Sequence, residues 1–493
     1  MTTPDHGYSD LPTTRDELGF APSAGALVEI VQGTAVQDTP LTLGVYGPWG
    51  SGKTSLMQMI LSDLDENHCI PVWFDAWRYA QSDTLWRALL LSVVEELRLF
   101  VEDNDWLHAT LDRRNRLHPD RRQIDLESND AVEAERKKLT THLEDLVDSL
   151  YRSVDREEPG EMQFQWDEAG KLAAGTVIRA GFSFIPVLGD LPKAVDKAGE
   201  AAGEEDYATR IFELFQRQKA QIYREQVRSL EQFYRQLKQV VKEWVTDLDR
   251  RLVVFIDDLD RCLPEQAVGV LEALKVFLDA QGCIFVLGVD REIIERGIRV
   301  RYKEFTLAAD DVEGVFPVAG RDYLEKIVQV PFELPPLDAN AIETFLRTRL
   351  PAVPTLSDEE AGHVATLMTA GLLRNPRKVK RTFNTFRVHL TLDRAHGRAT
   401  VAGLIAKLVV IQSSFADLYE RITLAPTALR DIERIVRGTP GAGTIDQALR
   451  EVVAASDPRL KEMLYMEPFF EECNDVALRE LVYRSRITKD GGT

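Results

Sequence analysis

The sequence predicts an α/β fold: a parallel β-sheet split by a long helical insertion and followed by a helical C-terminal unit. Three observations carry that reading. Short runs of β-forming residues end at glycines or aspartates, as buried parallel strands do. Amphipathic helical stretches lie between them. Beyond residue 337 the pattern is helical almost to the end.

In chain order, residues 1–20 are polar, lack an apolar signal-like core and read as a loose tail. Leu41 to Tyr46 is the first strand, followed at once by glycines, and Thr54 to Leu64 opens a helix. Ile70 to Asp75 gives the second strand, with Pro71 confined to its start. Leu85 to Val101 alternates at helical spacing and packs on the sheet. From 102 to 250 the sheet pattern gives way to charge-rich helical sequence, a long insertion. Its last part, through Ile211, Phe215, Ile222, Leu230, Phe233, Leu237, Val241, Trp244 and Leu248, lays one apolar face along a long helix. Strands resume at Arg251 to Ile256 and Cys283 to Gly288, with a helix over Leu271 to Leu278 between them. A fifth strand is expected over Lys326 to Leu334, closed by Pro335 and Pro336. The resulting organisation is a tail (1–20), a first sheet segment (21–101), the insertion (102–250), a second sheet segment (251–336) and a helical C-terminal domain (337–493).

The chain has 493 residues, too many for one ordinary core. Its 60 Lys and Arg against 80 Asp and Glu give a net charge of -20, which repels phosphate polymers over most of the surface. Nucleic-acid contact therefore requires a local basic patch. One exists between Arg374 and Arg398, where Arg374, Arg377, Lys378, Lys380, Arg381, Arg387, Arg394 and Arg398 face only Asp393. No aromatic platform accompanies it, so a basic face balancing an acidic body is the reading adopted, with backbone contact to nucleic acid as the other. Cys69, Cys262, Cys283 and Cys473 lie far apart without a C-x-x-C pair, a pattern that fits a reducing, cytoplasmic setting and offers no zinc site.

Gly47-Pro48-Trp49-Gly50-Ser51-Gly52-Lys53-Thr54 fits G-x-x-x-x-G-K-[ST] and stands where that motif works, after a buried strand and before a helix. Its glycines let backbone amides close around phosphates, Lys53 neutralises phosphate oxygens, and Thr54 offers a hydroxyl to Mg²⁺. Ser55 completes the expected nucleotide-binding set. The competing reading, a glycine-rich turn with a surface lysine, does not account for the agreement of strand, spacing and helix. Val253 to Ile256 then delivers Asp257 and Asp258 to the sheet mouth. Asp257 is expected to hold Mg²⁺ and Asp258 to polarise the attacking water; taken alone, the pair would read as a solvated acidic turn. No Ser, Cys or His nucleophile constellation surrounds them, which points to phosphoryl transfer to water or a nucleotide switch. ATP is expected over GTP, because no Asn/Thr-Lys-x-Asp guanine motif follows the strands.

The sequence resembles the KAP family of P-loop NTPases, a branch of the additional-strand ATPases. The resemblance rests on Gly44 to Thr54, on Phe74-Asp-Ala-Trp-Arg-Tyr79, on Ile256-Asp-Asp-Leu-Asp-Arg261 and on Phe285 to Arg291. Tyr323 to Phe332, Asn375 to Arg381, Lys407 to Gln412 and Leu418 to Arg421 extend it over residues 20 to 425. Asp75 departs from it, standing where the family carries Asn. The resemblance implies five parallel strands in the order 51432. It implies that Asp290 senses the γ-phosphate or its water, against an alternative role as a helix N-cap. It also implies that Arg377 or Lys378 reaches from the helical unit to the phosphate, against a solvated helix start. Arg261 and Arg321 are candidates for a charge-stabilising finger, although surface ion pairing is the commoner fate of such residues.

Family members often carry membrane spans inside the insertion, which draws attention to residues 172–189. That segment has the length of the shortest span, but Arg179 sits near its centre and Pro186 interrupts it, so a soluble hairpin is favoured over a membrane anchor at the inner face of the cell membrane. The expectation is an ATPase that uses Mg-ATP as a conformational switch or assembly engine, in a cytoplasmic setting. An effector or regulatory protein is its expected partner, self-association is left open, and bacterial anti-phage defence is the context the resemblance implies. The alternatives are a membrane-associated, nucleotide-regulated scaffold and a DNA-engaging ATPase.

Overall fold

A computed structural model describes residue 9 and residues 11–80, 85–152, 232–277, 280–301, 320–353, 356–439 and 447–486. The chain forms two compact units. The first comprises the described residues within Met1–Asp83, Val253–Leu271 and Ile284–Thr493, and the second those within Thr84–Leu252 and Glu272–Cys283.

Five strands make one sheet: β1 (Leu41–Tyr46), β2 (Cys69–Asp75), β3 (Arg251–Asp257), β4 (Cys283–Val289) and β5 (Val330–Glu333). Their order is β2-β3-β4-β1-β5, which is the expected 51432 read from the other edge. β4 lies between the strand that feeds the glycine loop and the strand that ends at Asp257. Every residue of β3 and β4 is buried, in keeping with their unbroken apolar sequence. Pro71 is tolerated because β2 is an edge strand. β1 runs parallel to β4, with Tyr46 level with Val289, and parallel to β5, with Tyr46 level with Glu333. The chain thus leaves β1 and β4 at the same carboxyl end of the sheet, where an open parallel sheet presents its ligand crevice.

The fifth strand is shorter than expected. Gly320–Glu325 is a helix, and the amides of Ile327 and Val328 bond back to Leu324 O, so neither is available to the ladder. Pairing with β1 begins only where Gln329 N donates to Thr42 O (3.1 Å). The helix before β4 runs over Pro264–Phe277, starting earlier than Leu271 because Pro264 suits a first helical position.

Residues 11–20, read from sequence as a loose tail, are tied down. Asp16 accepts from the amides of Leu18, Gly19, Phe20 and Ala21, which holds its carboxyl below the usual range despite partial burial. Thr13 N donates to Ser55 Oγ (3.3 Å), Glu17 pairs with Arg349, and Leu18 and Phe20 join the core. The helix Ala21–Gly33 packs on the helix Lys53–Asp63 that follows the glycine loop. In the helical part of this unit, Asp358–Gly371 and Pro376–Ala395 pack against Ala402–Ser414. A fully buried ion pair, Lys407 to Glu433 (3.1 Å), lies there with the Phe469 and Phe470 rings over the ammonium.

In the second unit the helices Leu85–Glu102, Asn104–Leu117 and Asn129–Arg152 pack together. Arg250 donates to Thr110 Oγ1 (2.7 Å) and lies over the Trp106 ring, and burial lowers its pKa to about 10. Phe233, Leu237, Val241, Trp244 and Leu248 are buried as the apolar face requires. Ile211, Phe215, Ile222 and Leu230, and the segment 172–189, fall outside the described residues. Among the described residues, no single helix is long and apolar enough to cross a membrane. The pair Ala402–Ser414 and Ala416–Leu424 reaches that composition only jointly, across a 119° bend.

Candidate active site

The glycine loop is a compact turn between β1 and its helix. Gly47 N donates to Val289 O (3.3 Å), and Ser51 N to Pro48 O (3.1 Å). Gly50 and Gly52 take φ values of +78° and +104°, which only glycine adopts at little cost. Space is also short. A Cβ on Gly50 would come within 3.0 Å of Asn375 Oδ1 and of Arg377 Cβ, and one on Gly52 within 3.0 Å of the Phe20 ring. The loop is therefore clasped from outside by Phe20 and by the start of the helix Pro376–Ala395.

Lys53 is 7% exposed. Its Nζ donates to Gly47 O (2.8 Å), lies 3.5 Å from Pro48 O and pairs with Asp260 Oδ2 at 3.4 Å. The Thr54 hydroxyl lies close enough to Asp257 to favour its ionised form. Ser51 Oγ is buried without a hydrogen-bond partner, close beneath Gly47.

Asp257 ends β3 and is 3% exposed. Burial, reinforced by the neighbouring Asp258 charge, pushes its carboxyl up to about 6. The Thr54 hydroxyl, the Asp258 amide and Lys53 act the other way. Its Oδ1 is buried without a hydrogen-bond partner. β4 approaches it closely through Gly288, where a Cβ would lie 2.4 Å from Met57 Sδ and 3.0 Å from this same oxygen. A buried carboxylate oxygen of this kind, beside a threonine hydroxyl at the start of the loop helix, fits the donor chemistry of a hard divalent cation.

Asp258 stands in the left-handed region (φ +56°), turning the chain into the short turn Leu259–Arg261. Burial raises its pKa, and Arg261, 2.9 Å away, opposes that shift. Arg261 also lies over the exposed Trp77 ring (5.3 Å). The other finger candidate, Arg321, pairs with Glu325 on its own helix. Asp290 begins the helix Arg291–Arg301, and its Oδ1 accepts from Glu292 N (3.1 Å), which is capping geometry. Asp75 accepts from Arg78 N (3.3 Å).

Arg377 reaches the glycine loop, its amide facing Gly50 O (3.4 Å) and its guanidinium lying over the Trp49 ring at 4.7 Å. Lys378 turns away, its Nζ donating to Ser413 O (3.3 Å). Lys53, Thr54, Asp257 and Asp258 are thus gathered at one end of the sheet, with Arg377 behind the loop and Asp290 at the adjacent strand tip. Two contributors were not singled out from sequence. Asn375 accepts from Lys378 N (3.2 Å) as the helix cap while donating to Trp49 O (3.0 Å). Asp260 joins Lys53 to Asp290 N, which donates to its Oδ2 at 2.8 Å. The only sequence signal for either was membership of a motif-like segment.

The family described as "KAP family P-loop domain" matches residues 20–392. Over 145 residues the chain is 28% identical to the phage T7 exclusion protein of Escherichia coli (strain K12). That stretch is 28% of this chain and 18% of the relative, so this chain spans only a small part of that protein's length.

Proposed function

The chain belongs to the KAP family of P-loop NTPases, and from that premise we propose that it binds and hydrolyses ATP, using the cycle to reposition its helical elements. The observation that carries this reading is the convergence of the glycine loop and Lys53 with the Asp257 and Asp258 carboxylates at one end of the sheet. In the proposed site, the amides of Gly47 to Thr54 and the Lys53 ammonium bind the phosphates, at the N-terminus of the helix Lys53–Asp63. Thr54 and Asp257 would hold Mg²⁺, which supplies charge neutralisation for the phosphoryl oxygens. Asp258 orients the attacking water and accepts its proton, with its raised pKa suiting a base. Arg261, held on Asp258, must shift for that carboxylate to engage water. Arg377 carries changes in the loop to the helix Pro376–Ala395.

The test pairs two variants. Lys53→Ala abolishes nucleotide binding, whereas Asp258→Asn retains it and slows turnover by roughly two or more orders of magnitude. Turnover at the wild-type rate in Asp258→Asn would remove the water-polarising role from this residue. For biological context we propose phage defence with an effector partner, a reading supported by the partial similarity to the phage T7 exclusion protein. Loss of phage restriction by the Lys53→Ala chain in a restricting host checks it.

A further inference from the structure

We propose that Asp260 is a positioning residue that sets the nucleotide affinity of the site by competing with phosphate for Lys53. The inference rests on the nucleotide reading given above and concerns a residue that reading leaves without a role. The Lys53 ammonium has three protons to donate. In the structure it meets Gly47 O at 2.8 Å, Pro48 O at 3.5 Å and the Asp260 carboxylate at 3.4 Å. Of these acceptors, Asp260 alone is charged, and the two side chains are only 8% and 5% exposed, so solvent screens the pair weakly.

Phosphate oxygens approaching Lys53 meet a cation whose charge is already matched, and a carboxylate that repels them. Binding must therefore separate Lys53 from Asp260 or accept the repulsion. Either way the Asp260 charge lowers affinity. The left-handed turn at Asp258 folds the chain back, and from the turn Leu259–Arg261 Asp260 faces the loop lysine. The same Oδ2 also accepts from Asp290 N (2.8 Å). Asp260 consequently has a partner to keep when Lys53 leaves. That partner sits at the tip of β4 and caps the helix Arg291–Arg301, so exchange at Lys53 alters a bond at the base of that helix.

The experiment is calorimetric titration of the full chain with ATP and Mg²⁺, followed by steady-state turnover. Asp260→Asn keeps an acceptor for Asp290 N and removes the charge, and its Kd is expected to fall about tenfold, equivalent to about 1.4 kcal/mol. KM falls in parallel while kcat changes less than about threefold, because the lost contact belongs to the unliganded enzyme. Asp260→Glu, which keeps the charge, stays within about threefold of wild type. Asp75→Asn removes a charge from the end of β2 and produces a much smaller gain. Should Asp260→Asn bind equally or more weakly, or Asp75→Asn gain as much, the competition is refuted while the nucleotide site stands. Absence of ATP binding by the wild-type chain would instead remove the site reading itself, and this inference with it.

Discussion

Replacing Asp257 with Asn should stabilise the protein above neutral pH while impairing its use of nucleotide. The carboxyl has an ordinary value of 3.8 and is held at about 6 in the folded chain, chiefly by burial. Below pH 4 it is protonated in both folded and unfolded chains and carries no ionisation penalty. Between about 4 and 6 the folded chain keeps a proton that the unfolded chain has released, so the stability contribution declines as pH rises. Above pH 6 the folded protein bears the full cost of a buried charge, about 3 kcal/mol for a gap of that size. Asn removes the charge at nearly constant volume and can still accept from Thr54. It exchanges an unpartnered carboxylate oxygen for an amide group in the same place, so the number of unsatisfied atoms does not grow. The expected gain at pH 8 is therefore about 1 to 3 kcal/mol, vanishing below pH 4. Urea titrations followed by tryptophan fluorescence across this pH range measure it, aided by the stacking of Trp73 on Phe255 within the sheet. A variant less stable than wild type at pH 8, or a difference that does not change with pH, would refute the argument. With Mg²⁺ and ADP present the order should reverse, because only the wild-type site gains binding energy from the cation.

Asn375 performs two tasks that substitution separates. Asn375→Ala loses both the helix cap and the tie to Trp49 O and should cost about 1 to 2 kcal/mol in unfolding experiments, with weaker nucleotide binding. Asn375→Asp retains the cap, so its stability should stay near wild type while titration shows loosened nucleotide binding. At the buried pair, Lys407→Met strands Glu433 and should cost about 3 to 5 kcal/mol, whereas Lys407→Met with Glu433→Leu should recover most of that loss in the same denaturation assay.

The parts of the site that were legible in sequence are those written locally. β1, the glycine loop and the Asp257 strand end each occupy a few consecutive residues, and their chemistry demands a fixed spacing. Strand order became readable only through resemblance, since periodicity reports which face of an element is buried and not which neighbour covers it. Residues 11–20 are not legible from sequence, because a short polar stretch looks the same whether its polar groups meet water or, as with Asp16, collect backbone amides. The fifth strand was overextended for a related reason. Ile327 and Val328 are buried as strand residues would be, but their amides close a helical turn. The roles of Asn375 and Asp260 are not written locally, because they depend on pairing: Asn375 meets a carbonyl 326 residues away, and Asp260 shares one oxygen between two other motifs.

Those pairings suggest how one triphosphate could act on the rest of the first unit. A glycine loop free in solvent could reshape around phosphate with no consequence elsewhere. Here a Cβ on Gly50 would press on Asn375 and Arg377 at 3.0 Å, and one on Gly52 on the Phe20 ring at 3.0 Å, so the loop is closely packed on both. A change in loop curvature toward either contact therefore pushes on the start of the helix Pro376–Ala395 or on the segment bearing Phe20. That helix packs on Ala402–Ser414, ten of whose residues from Ala402 to Ile411 are buried. Close-packed interiors transmit such displacements because they have little free volume to absorb them. Trp49 and Arg377 stand where the loop meets the helix, so the fluorescence of Trp49 should respond to nucleotide in the wild-type chain and lose much of that response in Arg377→Ala. An unchanged response in that variant would mean that the helix start is only a wall behind the loop and does not report on it.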